Sequence, residues 1–259
     1  PDESQTVKSV AIYYSLDPHA LTRFWRDAKA VKLGTQWQAA CPVMSLDQPL
    51  FVYADVAYEM SASYRAAHSD YKLPDTFNIS SRVLSAAPSQ LQIAGVIATD
   101  RPERLIDDGA RGWHDWYKIN WDHPPLWTAY TRKLKDPKWR GPNGAKLMFE
   151  VRCHTDNTLV VTLDCNQWGA FVADKPAVEY SVIKPLKGST QWQTVSVSLE
   201  ELAATDAKFT APLTGWQTVC ELSISPTGQT TYDGKLVKVN AKAWQGPREI
   251  RNLRWDGGQ

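Results

Sequence analysis

Three stretches of this chain alternate apolar and polar residues with a period of two. Leu147, Phe149, Val151 and Cys153 alternate with Met148, Glu150 and Arg152. Leu159, Val161 and Leu163 alternate with Val160, Thr162 and Asp164, and Val195, Val197 and Leu199 with Thr194, Ser196 and Ser198. Successive side chains on a strand point to opposite faces, so each run predicts a strand with one buried face. Residues 7–14, 34–41, 50–58 and 76–84, rich in β-branched and aromatic side chains, add further strands. Residues 17–31 read two ways. Asp17 before Pro18 is a good helix start, with Leu21, Phe24, Trp25 and Ala28 on one face, yet Arg23-Phe-Trp-Arg26 also suits a strand. Residues 59–75 read as a polar loop. Residues 87–104, with Pro88, Gly95 and Pro102, read as a short helical turn and linker, which puts a domain boundary near residue 100.

Short strands, turn-rich connections and few helices predict an all-β chain of two antiparallel sandwich-like domains, residues 1–100 and 101–259. The turn at 154–157 further predicts that 147–153 and 158–165 form a hairpin. That hairpin would hold Cys153 and Cys165 too far apart for a disulfide.

Composition narrows the function. With 43% hydrophobic and 22% charged residues over 259 positions, the chain can bury a core without staples. The net charge is +1 with Lys and Arg scattered, which is no footprint for nucleic acid. No apolar run reaches the roughly 20 residues of a membrane span, and no basic amphipathic helix is present to lie on a bilayer. The start at Pro1 rather than Met leaves room for a leader already removed. The four cysteines form no CxxC pair and read as small buried hydrophobes rather than a zinc cage. There is no GxSxG elbow and no HExxH, and no carboxylate pair is marked out, so the chain is expected not to be an enzyme.

Tryptophan is the conspicuous surplus: twelve Trp accompany ten Tyr. Trp113, Trp116, Tyr117, Trp121 and Trp127 fall within one short stretch, with His114 beside them. Such rings stack on the apolar C–H face of a sugar while neighbouring polar groups orient its hydroxyls. The expected ligand-binding set is Trp113, His114, Trp116, Tyr117, Trp121, Trp127, Tyr130 and Trp168. Trp192 and Trp216, which head strands, are assigned to architecture.

Two groups of strings carry a family resemblance. Arg23-Phe-Trp-Arg-Asp27, Gly34 with Trp37-Gln-Ala39, and Pro49-Leu-Phe-Val-Tyr-Ala-Asp-Val56 resemble a small fibronectin-type-III or immunoglobulin-like domain. Such a domain follows the catalytic part of bacterial α/β-hydrolase-like proteins of the PhoPQ-activated pathogenicity-related family. On that resemblance residues 17–31 resolve toward strands. Leu105-Ile-Asp-Asp-Gly109, Trp127-Thr-Ala-Tyr-Thr-Arg-Lys-Leu134, Ala145-Lys-Leu-Met-Phe-Glu-Val151, Thr158-Leu-Val-Val-Thr-Leu163, Trp192-Gln-Thr-Val-Ser-Val-Ser-Leu199, Leu213-Thr-Gly-Trp216 and Ile250-Arg-Asn-Leu-Arg-Trp255 look like a carbohydrate-binding, galactose-binding-like jelly roll. The resemblance implies a secreted or periplasmic accessory region that binds poly- or oligosaccharide and serves a hydrolase domain outside this chain; the alternatives are a protein–protein interaction module using the same aromatics and a β-sandwich carbohydrate-active enzyme, hydrolase or lyase. It also implies a structural calcium ion, for which Asp107, Asp108 and Asp256, at the first and last strands of the second domain, are the candidate ligands.

Overall fold

The protein is described by a computed structural model covering residues 5–67, 74–110, 112, 115–120, 127–232, 235–239 and 244–258. It divides into two compact units, Pro1–Asp100 and Arg101–Gln259. The architecture is mostly β, with several antiparallel sheets and few short helices.

The first unit holds β1 (Val7–Ser15), β2 (Arg26–Asp27), β3 (Val31–Leu33), β4 (Gln36–Gln38), β5 (Leu50–Glu59), β6 (Thr76–Ser80) and β7 (Leu84–Ala86). Five of these form one sheet in the order β2-β1-β5-β6, with β7 also on β5. β3 and β4 form a separate hairpin, turned at Gly34 with φ 61°. The segment 17–31 forms no helix. Asp17 accepts the His19 N–H through its own carboxylate, and the Arg23 guanidinium donates to the carbonyls of Asp17 and Pro18. Side chains thus hold a turn where a helix would have begun. Within the stretch expected as loop, Ala62–Ala67 forms the short helix α1, and Pro88–Ile93 forms α2 with proline in its first turn. The core of this unit gathers Val10, Tyr14, Leu16, Phe24, Val43, Tyr58 and Leu91. Beside it Arg26 and Asp100 make a buried ion pair at 2.6 Å.

The second unit holds β8 (Leu105–Asp107), β9 (Tyr117–Ile119), β10 (Thr128–Thr131), β11 (Lys146–Cys153), β12 (Asn157–Cys165), β13 (Val178–Leu186), β14 (Ser189–Val197), β15 (Ala203–Ala204), β16 (Val219–Ser225), β17 (Gly228–Tyr232), β18 (Lys235–Val239) and β19 (Glu249–Asp256). A six-stranded sheet runs β15-β13-β12-β16-β10-β9 and a four-stranded sheet runs β14-β11-β19-β8, while β17 and β18 pair as a hairpin. Leu159, Val161, Leu163, Leu222 and Ile224 of the larger sheet meet Leu147, Phe149, Val151, Val195, Val197 and Leu253 of the smaller in one core. The burial of β11 alternates strictly, matching its sequence pattern.

The expected hairpin from 147 to 165 does not form. β11 pairs with β14 and β19, whereas β12 pairs with β13 and β16, so the turn at 154–157 carries the chain from one sheet to the other. Alternation says which face of a strand is buried and leaves open which strand it pairs with.

Candidate functional site on the outer sheet face

The register of the six-stranded sheet sets two rows of side chains on its outer face. Thr162 is opposite Ser181 on one side and Ser223 on the other; Ser223 is opposite Tyr130, and Tyr130 opposite Tyr117. One step along, Asp164 lies between Glu179 and Glu221. Neighbouring strands are about 4.8 Å apart, so each row is a ladder of closely spaced groups. One end of the face is covered. Gly228, at the start of β17, approaches Val160 so closely that a Cβ there would come within 2.8 Å of it, and both Val160 and Ser181 are buried. The other end is open. Tyr117 is 57% exposed and its ring stacks on that of Tyr130 at 4.9 Å and 16°.

The loop after β12 brings in a third ring. Asn166 stands in the left-handed region, and its side chain ties the loop together with four hydrogen bonds. It accepts the N–H groups of Phe171 and Val172, and donates to the carbonyls of Val172 and Lys175. Trp168 follows at φ 51°, a conformation costly for a bulky side chain. Its indole is nevertheless 54% exposed. The Arg132 guanidinium lies 5.5 Å from the centre of that indole and donates through Nε to Glu221 at 3.2 Å. Ring, guanidinium and acid row therefore form one connected patch.

Its electrostatics follow from that packing. Burial, and then the negative charges of Glu221 and Glu179, push the Asp164 carboxyl up to about 6 against a weaker pull from Arg132. Burial also raises Glu221, opposed by its bond to Arg132, and raises the Tyr130 phenol with help from Glu221. The face offers flat rings, hydroxyls and a carboxyl that holds its proton unusually well.

Of the ligand-binding set expected from sequence, the structure brings together Tyr117, Tyr130 and Trp168 on this face. Trp113, His114 and Trp121 lie outside the described residues. Trp116 and Trp127 are corrections: both are buried in the core. Trp116 donates its indole N–H to Asp107 at 3.0 Å, and Trp127, 0% exposed, meets Trp244 edge-on at 5.4 Å. The inward set on β10 is Ala129 and Thr131, and Trp127 continues it by two, so alternation turns it away from Tyr130. Trp216 is buried as expected, although it sits in the turn ahead of β16, and donates to the Ala145 carbonyl at 2.9 Å. Trp192 lies within β14, half-buried, with the guanidinium groups of Arg251 and Arg152 at 3.9 and 4.8 Å from its ring centre. The acid row and Arg132 were not singled out from sequence, because their meeting depends on which strands pair.

The aspartates proposed for calcium are placed apart. Asp107 spends its two oxygens on Gly109 N–H and Trp116 Nε1–H, and Asp108 accepts from Ala110 N–H. Asp107 is opposite Leu253, while Asp256 is opposite Lys146 near the far end of β19, roughly 10 Å away along the strand. Asp107 and Asp108 line a cleft of about 180 Å³ with Asp115, and the Lys133 ammonium sits there 3.2 Å from Asp115. Among the described residues, no three carboxylate, histidine or cysteine side chains come together as a group that could hold a metal ion.

No family model matches the chain, and no curated protein matches its sequence. A solved structure described as showing the structural basis for the promiscuous specificity of carbohydrate-binding modules from the β-sandwich superfamily aligns with 99% of this chain and 88% of its own. The identity is 8% and the TM-score 0.27, a distant likeness that carries no argument about ligand or residues.

Proposed function

We propose that the second unit binds oligo- or polysaccharide on the outer face of its six-stranded sheet, as a non-catalytic accessory module. The observation that carries this reading is Trp168: a large indole kept in a strained backbone conformation and left half in solvent by a loop that Asn166 ties rigidly. A core or a hinge gains nothing from that arrangement, whereas a flat ligand gains a fixed platform. Tyr130 and Tyr117 add a second stacking surface, and Thr162, Ser223 and Asp164 supply hydroxyl and carboxyl partners.

The strand order supports a jelly-roll reading of this unit. Counting β8, β10, β11, β12, β13, β14, β16 and β19 in chain order as one to eight, the sheets run 6-3-8-1 and 5-4-7-2. The first unit, with its five-stranded sheet and separate hairpin, fits an immunoglobulin-like spacer in this reading, and a hydrolase domain outside the chain fits the role of the partner served.

Each ring buries roughly 50–100 Å² of sugar, worth about 1–3 kcal/mol before binding costs. The expected affinity is accordingly about millimolar to micromolar. The test is a titration with a broad panel of oligosaccharides, followed by heat and by intrinsic emission. At least one glycan should bind in that range, and Trp168→Ala should weaken it about tenfold or more. A flat response across the panel would sink the reading. A second reading draws on Asp164 and Glu221, neighbouring carboxylates of raised pKa, which favour catalysis. Steady release of reducing ends during the titration would move the assignment there.

A further inference from the structure

We propose that the row Glu179, Asp164 and Glu221 selects saccharide chains that carry protonated amines, of the glucosamine type, and turns away uronate chains. The inference rests on the reading of this face as a saccharide platform and names the class of sugar it takes.

Position favours this selection. The three carboxylates stand on adjacent strands β13, β12 and β16, in register, at the open end of the face where Trp168 and Tyr130 stand. The charged groups that bear on Asp164 are Glu221 from β16, Glu179 from β13 and Arg132, just beyond β10. Arg132 is committed to Glu221 and leans on the Trp168 ring. Three acids against one guanidinium leave the row net negative.

The orientation of a stacked sugar favours it as well. A pyranose stacked on Tyr130 points its equatorial substituents sideways, and the acid row is the next row along the same face. A uronate carboxylate there would meet like charges in a partly desolvated setting, which is strongly disfavoured. A hydroxyl would be accommodated. An ammonium would gain charge-assisted hydrogen bonding to the row.

The row also carries a local negative potential. Part of the rise in Asp164 comes from burial, and the rest from Glu221 and Glu179. That second part is a negative potential which a proton relieves at low pH and an ammonium would relieve nearer neutrality.

The test compares three oligomers of equal length on the full chain: β-1,4-linked glucosamine, its N-acetylated form, and galacturonate. Work at about pH 6 keeps most of the oligomer's weakly basic amines protonated while about half of Asp164 is ionised. The glucosamine oligomer should bind about tenfold more tightly than the acetylated one, the size that two partly exposed ion pairs reach together. Galacturonate should bind weakest, and the preference should shrink with added salt. Glu179→Gln, an exposed change that leaves packing alone, should reduce the ratio, and Asp164→Asn with Glu179→Gln should bring it to about twofold or less. Equal binding of the amine and acetylated oligomers, or tighter binding of galacturonate, overturns the selection while leaving the platform intact. If none of the three binds and no neutral glycan does, the platform itself falls.

Discussion

Gly141 and Trp216 show how little freedom a core position leaves. A Cβ on Gly141 would lie 2.5 Å from Cγ of the Trp216 indole, so even alanine must displace the ring. Gly141→Ala should destabilise the chain by about 1–3 kcal/mol, and Trp216→Phe, which keeps an aromatic ring but loses part of the indole's volume and the bond to Ala145, by about 2–4. Urea unfolding followed by far-ultraviolet circular dichroism measures both, and a loss below about 0.5 kcal/mol for Gly141→Ala would contradict the packing described. The same scale explains which tryptophans were legible. Trp116 and Tyr117 are adjacent and so face opposite ways, as do Trp127 and Thr128, yet a cluster counted along the chain treats them alike. Period-two alternation, carried one step past Thr131, Ala129 and on to Trp127, contains the signal that sends this indole inward. No comparable pattern announces Trp168, whose exposure depends on a left-handed turn at Asn166.

At the scale of elements, alternation reports which face of a strand is buried, and for β11, β12 and β14 that was readable directly. It does not report partners, which is why the acid row stayed hidden: Asp164 and Glu221 are 57 positions apart in sequence and meet only because β12 pairs with β16. That pairing has a consequence for stability. With its pKa raised from 3.8 to about 6, Asp164 binds a proton more tightly in the folded than in the unfolded chain. Its contribution is therefore most favourable below about pH 4 and is lost as pH rises through about 6. Asn is neutral throughout, so Asp164→Asn should raise the melting temperature by a few degrees at about pH 8, worth ~1 kcal/mol after allowance for partial exposure. The gain should fade toward pH 4. An equal gain at both pH values, or a loss at pH 8, would show that burial and the neighbouring carboxylates do not raise Asp164 as described.

For the whole molecule, an even charge balance and a scattering of Lys and Arg put no long-range field on the surface, so recognition has to be local. The second unit concentrates local chemistry on one sheet face: three rings, a hydroxyl row and an acid row. The outer face of the four-stranded sheet is a different surface. There the guanidiniums of Arg251 and Arg152, which pair with Glu150 and Glu249, lie 3.9 and 4.8 Å from the Trp192 ring centre, so the ring is engaged by the protein's own side chains. The two faces make opposite claims on a bound glycan. The direct measurement is a residue-resolved NMR titration of the full chain with an oligosaccharide that binds. Binding on the six-stranded sheet's outer face predicts shifts at the Trp168 indole N–H and at the backbone amides of Tyr117, Tyr130, Asp164 and Ser223, saturating together. Shifts centred instead on Trp192, Arg152 and Arg251, or confined to the first unit, would contradict it.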